Sequence, residues 1–535
     1  MRRILAAVLC GSTFFSSPAH SAPPFRVHDL RVDGDVGYYL AEDLNEDGLR
    51  DLTVFHTKGE AGHTERWLSI FHQTAAGFPS GPQRSLRVAP RAVVLDVGDV
   101  LPSHGKEIAF LARDGLYAYT LEQNLSPPLS HSPSPPFRAG TGEGVKLLDA
   151  PSIFQVPSPS YLAAFDFILD LNDDGAPEVL IPQVDRCLLY TKSAEGPPRF
   201  AGEIDLGLVP SVRGLPAGGE AVGFGVHVGL NTPRFLSLDF NGDKRTDLLA
   251  VYTDSLCAFF QKPDHTFSGS PDQVVDLRFD RIATGTETVR AAPDDDDRDE
   301  RTVVTKILDL NGDGWIDLVA LNTSNKKGVF NLETQVQVYY GRKTGDRNLF
   351  PKSPDQTLKG SGVQVLTDAV DFDGDGKMDL FVPAVKFGLT QFIRMLLSRT
   401  IDVEVDFYFM GKEGRYPASP SHRRSIPIQV DFKGHNSQPV YEVTDLNGDG
   451  RLDILTSADT TELEGFYGDP VRIFGKRPDL YFRVKLPRNG QRVRAMPLNA
   501  DGRADVVIVY ERQDEEEGEE KNMRGMVRVL LSSAP

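Results

Sequence analysis

Only three of the 535 residues are cysteine. One of them, Cys10, sits in the first apolar stretch, and Cys187 and Cys257 alone are too few to staple a chain of this size, so the core has to hold by packing and by ions. After Ser21 no run reaches the roughly 18 to 20 uninterrupted apolar residues of a spanning helix, which excludes such a span from the remainder. Positive charge is short as well. The balance of 58 Lys and Arg against 76 Asp and Glu leaves a formal net charge of −18. That argues against nucleic acid or anionic lipid as a partner and suits a chain that collects divalent cations. Signatures of catalysis are missing too: there is no Gly-x-Ser-x-Gly elbow, no His-Glu-x-x-His and no phosphate loop ending in Gly-Lys-Ser/Thr. The glycine-rich Gly140 to Gly144 lacks a strand-to-helix context, and the histidines beyond His20 share no short metal-ligating spacing.

What is present begins with a leader. Arg2 and Arg3 precede an apolar stretch from Ile4 to Phe15, and Ala19 and Ser21 occupy the small positions before a cut. Residues 1–21 read as a signal peptide and 22–535 as the mature chain. Its loss takes the formal charge of −18 to −20. The expected location is therefore outside the cytoplasm: secreted, periplasmic or at the cell surface.

One nine-residue pattern, Asp-x-Asn/Asp-x-Asp-Gly-x-x-Asp/Glu, recurs along the mature chain. Five copies are complete, starting at Asp43, Asp170, Asp309, Asp371 and Asp445, and a sixth from Asp239 replaces only the turn glycine, with Lys244. A seventh keeps Asn499, Asp501, Gly502 and Asp505 but begins with Pro497. The weakest reads from Asp96 through Asp99 to Glu107, with an insertion before the last acid. The unit returns about every 65 residues. Each motif is followed by a short run such as DLTVF, EVLIP, DLLAV or DVVIV, too short for a helix and rich in Val, Leu and Ile, hence a buried strand. A further strand comes later in most units, as in RWLSIFHQ or VQVYYGRK.

Units of three or four strands cannot bury both faces alone, but stacked radially they can. The expected fold is all-β: a single β-propeller over 22–535, with eight blades favoured over seven and the motif loops joining the first two strands of each blade. FRVHDLRV at Phe25 to Val32 is expected to complete the last blade and close the ring. Residues 387–400 carry Leu389, Phe392, Ile393, Leu396 and Leu397 at helical spacing, so one short inserted helix is expected there. The acidic stretches Asp294 to Glu300 and Asp514 to Glu520, and the Pro/Ser-rich Ser126 to Pro136, read as solvated loops.

Oxygen ligands at positions one, three, five and nine converge when such a loop winds around a point, and hard oxygens suit calcium. The glycine at position six allows a left-handed turn. Empty, ionised groups about 4 Å apart repel by roughly 4 kcal/mol at an effective dielectric near 20. An EF-hand loop shares the first six positions but needs a Glu at position twelve. Here that position is Val54, Ile181, Ala250, Ala320, Val382 or Thr456, and none can ligate.

At these residues the chain resembles the FG-GAP/VCBS repeat family, which includes the N-terminal propeller of integrin α subunits. The resemblance implies a calcium-bearing propeller, usually of seven blades, and about six structural Ca2+ sites. The implied ligands are Asp43, Asn45, Asp47 and Asp51; Asp170, Asn172, Asp174 and Glu178; Asp239, Asn241, Asp243 and Asp247. They continue with Asp309, Asn311, Asp313 and Asp317; Asp371, Asp373, Asp375 and Asp379; Asp445, Asn447, Asp449 and Asp453. The function expected is a non-catalytic module that binds a protein or glycan on a propeller face. The alternative is a carbohydrate-active enzyme of the polysaccharide-lyase kind, for which His227, His265 and tyrosines are available. A pocket gathering His or Tyr with Arg or Lys would favour it. Cys187 and Cys257 fall 17 and 18 residues after Asp170 and Asp239, on corresponding strands of adjacent blades, and are expected to be unpaired.

Overall fold

The Val/Leu/Ile runs that follow the motifs become second strands, flanked on both sides and buried almost end to end: Asp247–Val251 and Asp505–Val509 are buried at every position. A computed structural model describes residues 24–60, 63–119, 143–207, 211–215, 225–229, 233–252, 254–277, 279, 281–282, 300–325, 333–345, 347–360, 362–364, 367–385, 400–429, 440–457, 459–469, 473–475, 477–515 and 523–533. The leader, Ser126 to Pro136, the helix expected over 387–400 except its last residue, and most of both acidic stretches lie outside the described residues.

Eight sheets follow one another as the blades of a propeller, antiparallel except where Ala163–Ala164 and Arg281–Ile282 add a short parallel edge to blades 2 and 5. Blade 1 is Asp35–Glu42, Asp51–Lys58, Glu65–Phe71 and Arg84–Arg87. Blade 2 is Val94–Gly98, Glu107–Ala112, Gly115–Tyr119 and Val145–Asp149, and blade 3 is Ile168–Leu169, Glu178–Pro182, Arg186–Thr191 and Arg199–Asp205. Blade 4 is Arg234–Leu238, Asp247–Val251, Ser255–Phe259 and Gln273–Asp276. Blade 5 is Glu300–Leu308, Asp317–Ser324, Glu333–Tyr339 and Gln356–Leu358. In blade 6, Asp368–Val370 leads to Asp379–Val385, Thr400–Tyr408 and His422–Gln429. Blade 7 is Tyr441–Thr444, Asp453–Thr456, Glu462–Phe466 and Leu480–Arg483.

Blade 8 contains Val493–Met496, Asp505–Val509 and Met526–Ser532, and its outer strand is Phe25–Arg31 from the other end of the chain. The pairing runs from Phe25 opposite Ser532 to Arg31 opposite Met526, and Arg528 forks onto Asp29 at 2.6 and 2.9 Å. The ring thus closes as the sequence leads one to expect. Short hairpins, Ser211–Leu215 with Gly225–Gly229 and Arg342–Thr344 with Arg347–Leu349, are additions that it did not announce.

Packing joins each sheet to the next. Phe55 and Leu68 of blade 1 share a core with Phe110 and Tyr117 of blade 2, and Leu180 of blade 3 shares one with Leu116 behind and Leu248 ahead. Leu249 meets Leu318 across blades 4 and 5, Val336 meets Leu380 across 5 and 6, and Phe407 meets Ile454 across 6 and 7. Leu455 meets Val506, and Val507 meets Leu52, which carries the apolar layer back to blade 1. First strands of consecutive blades touch and are tied by charge: Lys306 pairs with Asp368 at 2.5 Å and Arg494 with Glu442 at 3.3 Å. Cys187 and Cys257 are both free, on the third strands of blades 3 and 4. Among the described residues no helix is long and apolar enough to cross a membrane.

Candidate metal centre

Every motif loop joins the first strand of a blade to the second. In the six ligand-complete copies the position-one carboxylate is held by backbone amides of its own loop. The N–H of position six donates to its Oδ2 at 2.8 Å for Gly48, Lys244 and Gly314, 2.9 Å for Gly175 and Gly376, and 2.7 Å for Gly450. The position-three oxygen accepts from the N–H of position five, and the position-five carboxylate from that of position seven, as Asn311, Asp313 and Trp315 illustrate at 2.9 Å each. Asp43, Asn45 and Asp47, Asp170, Asn172 and Asp174, Asp239, Asn241 and Asp243, and Asp445, Asn447 and Asp449 repeat this winding.

Position six has positive φ in all six loops, from 68° at Lys244 to 84° at Gly48. A Cβ on Gly48, Gly175, Gly314, Gly376 or Gly450 would meet nothing, so the glycine answers the dihedral and not a crowded neighbour. Position four is left-handed too, occupied by Gly242, Gly312, Gly374 and Gly448 but also by Glu46 and Asp173, each at φ 57°. That second constraint had not been read from the sequence, because two of the six residues are acids.

The position-nine acids, Asp51, Glu178, Asp247, Asp317, Asp379 and Asp453, each begin a second strand and are buried. Asp317 is representative. Its Oδ2 accepts the N–H of Leu310 in its loop at 3.0 Å, and its Oδ1 accepts that of Gly341, beyond the third strand, at 2.7 Å. Asp51, Asp247, Asp379 and Asp453 do the same, and so does Asp505 in blade 8. These acids fasten three strands together; at Asp51 and Asp247 the Oδ2 accepts a second bond, from His72 and from the N–H of Asn241. Burial, reinforced by carboxylates of the same loop and opposed by the amide bonds, pushes Asp317, Asp379 and Glu178 up to about 7 and Asp247, Asp453 and Asp505 up to about 6.

The donor set is all oxygen, and in blade 6 it is most concentrated. Asp371, Asp373 and Asp375 each offer an oxygen within 4.8 Å of the others. Burial, then the charges of Asp375 and Asp371, raise the carboxyl of Asp373. A gathered set of hard, like-charged oxygens fits calcium better than any softer ligand preference would.

Blade 2 departs from the expected register. Asp96 lies inside the first strand, Val94–Gly98, where its Oδ2 accepts the N–H groups of Phe167 and Ile168 from blade 3 at 2.8 and 2.7 Å. Burial raises this carboxyl to about 7. The loop instead starts at Asp99 and ends at Glu107, nine positions with no insertion. Contacts between loops settle this register. The N–H of position eight donates to the position-two carbonyl of the preceding blade from Arg50 to Leu498 at 2.8 Å and from Met378 to Leu310 at 2.8 Å, and Lys106 does so to Leu44 at 3.0 Å. Ala504 reaches the position-one carbonyl of Asp445 at 2.8 Å. Motif loops of neighbouring blades are therefore bonded to one another on one face of the ring.

A second feature lies where the ring closes. A cavity of about 410 Å³ between the first strands of blades 8 and 1 is lined by Tyr38, Tyr39, Arg50, Gln491, Arg492 and Arg494, among others. Arg492 donates to Glu511 at 2.7 Å and to the carbonyl of Gly37 at 2.7 Å, while Arg494 pairs with Glu442. The Tyr39 hydroxyl is buried without a hydrogen bond, and burial holds its phenol far above the usual range despite the charge of Arg494. His227 lies on the hairpin strand Gly225–Gly229 and His265 in an exposed turn of blade 4, at φ 62°, so neither lines this cavity.

The sequence profile of the FG-GAP-like repeat matches residues 309–382, from the loop of blade 5 into the second strand of blade 6. No curated protein matches the sequence. Two solved structures align along most of the chain at low identity. The V. cholerae biofilm matrix protein Bap1 shares 12% identity over 93% of this chain and 77% of that one, with a TM-score of 0.28. BBS1N, in complex with ARL6DN and soaked with lead, shares 9% over 82% and 94%, also at 0.28. The profile match covers one repeat of a plan that the eight blades carry around the ring, so residues 309–382 form an FG-GAP-like repeat within an eight-bladed β-propeller.

Proposed function

We propose that the protein is an exported, calcium-stabilised propeller that binds a protein or glycan partner without transforming it. The observation that carries the calcium half is the convergence of Asp371, Asp373 and Asp375. An ion there would relieve their repulsion and fix the loop. The other five complete loops share the winding, with Asn or Asp at position three. Holding the loops holds the face where they are hydrogen-bonded to one another, between blades 7 and 8, 8 and 1, 1 and 2, and 5 and 6.

For the partner, the cavity at the ring closure supports an acidic group, such as a uronic acid or a carboxylate side chain. Arg50, Arg492 and Arg494 collect there in a chain of net charge −18, and the unpartnered Tyr39 hydroxyl can donate. Tyrosine beside arginine is also what a lyase would need. Burial opposes ionisation of that phenol, which suits it to donating a hydrogen bond to a bound acid. A glycan array and pull-down with the calcium-loaded protein test it. Acidic ligands should be retained by the wild type and lost in Arg50→Ala. Retention of neutral ligands alone, or turnover of a uronate polymer, would contradict it.

A further inference from the structure

The loop of blade 2 has the length and place of the others without their ligands. Positions three and five are Leu101 and Ser103, and Pro102 at position four has no N–H to offer the position-one carboxylate. A divalent ion has no oxygen set to enter. Yet Asp99 still stands at position one, its Oδ1 buried without a hydrogen bond. Its Oδ2 meets Nζ of Lys192 at 2.5 Å, with the two side chains 29% and 25% exposed. Lys192 follows the third strand of blade 3, Arg186–Thr191. The same reach is made one blade on, where Gln261, just past the third strand of blade 4, donates to the carbonyl of Asn172 in the blade 3 loop at 2.7 Å. A second ammonium, Lys106, ties the loop to Glu42 of blade 1 at 2.6 Å.

We propose that Lys192 supplies to the blade 2 loop the positive charge that a divalent cation supplies to the complete loops, so that blade 2 stays docked without metal. This rests on the calcium reading above. An ammonium from the next blade does two tasks at once: it compensates a half-buried carboxylate, and it ties blade 3 to blade 2 through a contact that no chelator removes.

The test is hydrogen exchange of the full-length protein with calcium and with chelator, paired with melting of Lys192→Met, Lys192→Arg and Asp313→Ala. Chelation should speed exchange at 309–317 and 371–379 by about tenfold or more and leave 99–107 within about twofold. Lys192→Met should lower the melting temperature equally with and without calcium, Lys192→Arg should recover most of that loss, and Asp313→Ala should cost clearly more stability with calcium than without it. The proposal is overturned if 99–107 opens together with the other loops on chelation, or if Lys192→Met leaves the melting temperature unchanged. Chelation that moves no loop overturns the calcium reading itself, a result distinct from either.

Discussion

Blade 6 and blade 2 reach the same nine-residue loop by opposite means. Blade 6 gathers three carboxylates around a point, with Lys377 3.8 Å from Asp375. Blade 2 puts Leu101 and Ser103 at the corresponding places and answers its one remaining acid with Lys192. What they share is the position-nine acid, buried at the start of the second strand and bonded to loop amides, Asp379 in one and Glu107 in the other. The loop's path is therefore set by the position-nine acid and the strands it joins, while positions one, three and five determine how the charge in its mouth is balanced.

The sharpest break of this comparison is to remove position nine where no complete ligand set exists. Asp505→Ala leaves the N–H groups of Leu498 and Ser532 buried and unpaired, and should cost about 2–4 kcal/mol with or without calcium. Asp317→Ala should cost at least as much. Chemical denaturation measures both, and a neutral Asp505→Ala would mean that this position matters only as a ligand.

Next in size are the mouth acids. With millimolar calcium and affinities of roughly 10⁻⁴ to 10⁻³ M, each occupied loop gains about 1 kcal/mol. Asp313→Ala should lose that increment and its own loop contacts in calcium, with a smaller loss in chelator. Asp501→Ala should lose less, because Pro497 supplies no position-one ligand.

pH separates the two charge balances further. Without an ion, Asp317 and Asp379 titrate at about 7 and Asp247 and Asp453 at about 6, above the ordinary carboxylate value. Their folded pKa is raised above the ordinary 3.8, so the stability they contribute is complete below that value and is lost as pH rises from there through 6 to 7. Bound calcium favours the ionised form and opposes that loss. Melting of the chelated protein should accordingly fall between about pH 4 and 7, and calcium should flatten the slope. His56 acts in the other sense. Buried against Ser69 and the carbonyl of Asp33, it is depressed to about 4, and its contribution is lost as pH falls from 6.5 towards that value.

The smallest effect is backbone alone. Lys244→Gly relieves a left-handed non-glycine residue and should gain up to about 1 kcal/mol, whereas Gly376→Ala should lose a similar amount.

Much of this was legible in sequence because each complete motif marks both a turn and the start of a buried strand. The closing strand at Phe25 was legible because the last unit lacks an outer partner. Blade 2 was not. Asp96 stands three residues before Asp99, so Asp-Val-Gly-Asp imitates the start of a motif, and only the amides of Phe167 and Ile168, seventy residues on, show what Asp96 serves. The double bond of position nine was hidden for the same reason, since Gly341 and Met410 come from another strand end. The cavity at the ring closure joins Tyr39 to Arg494 across almost the whole chain, a proximity that no local pattern encodes.

The most direct test of the central claim counts metal and stability in one sample: native mass spectrometry and scanning calorimetry of the protein in millimolar calcium and after chelation. The account predicts one bound calcium for each complete loop, six in all, and a lower melting temperature once they are removed, restored by calcium better than by magnesium. A chain that carries no calcium and melts at the same temperature in both conditions would contradict it.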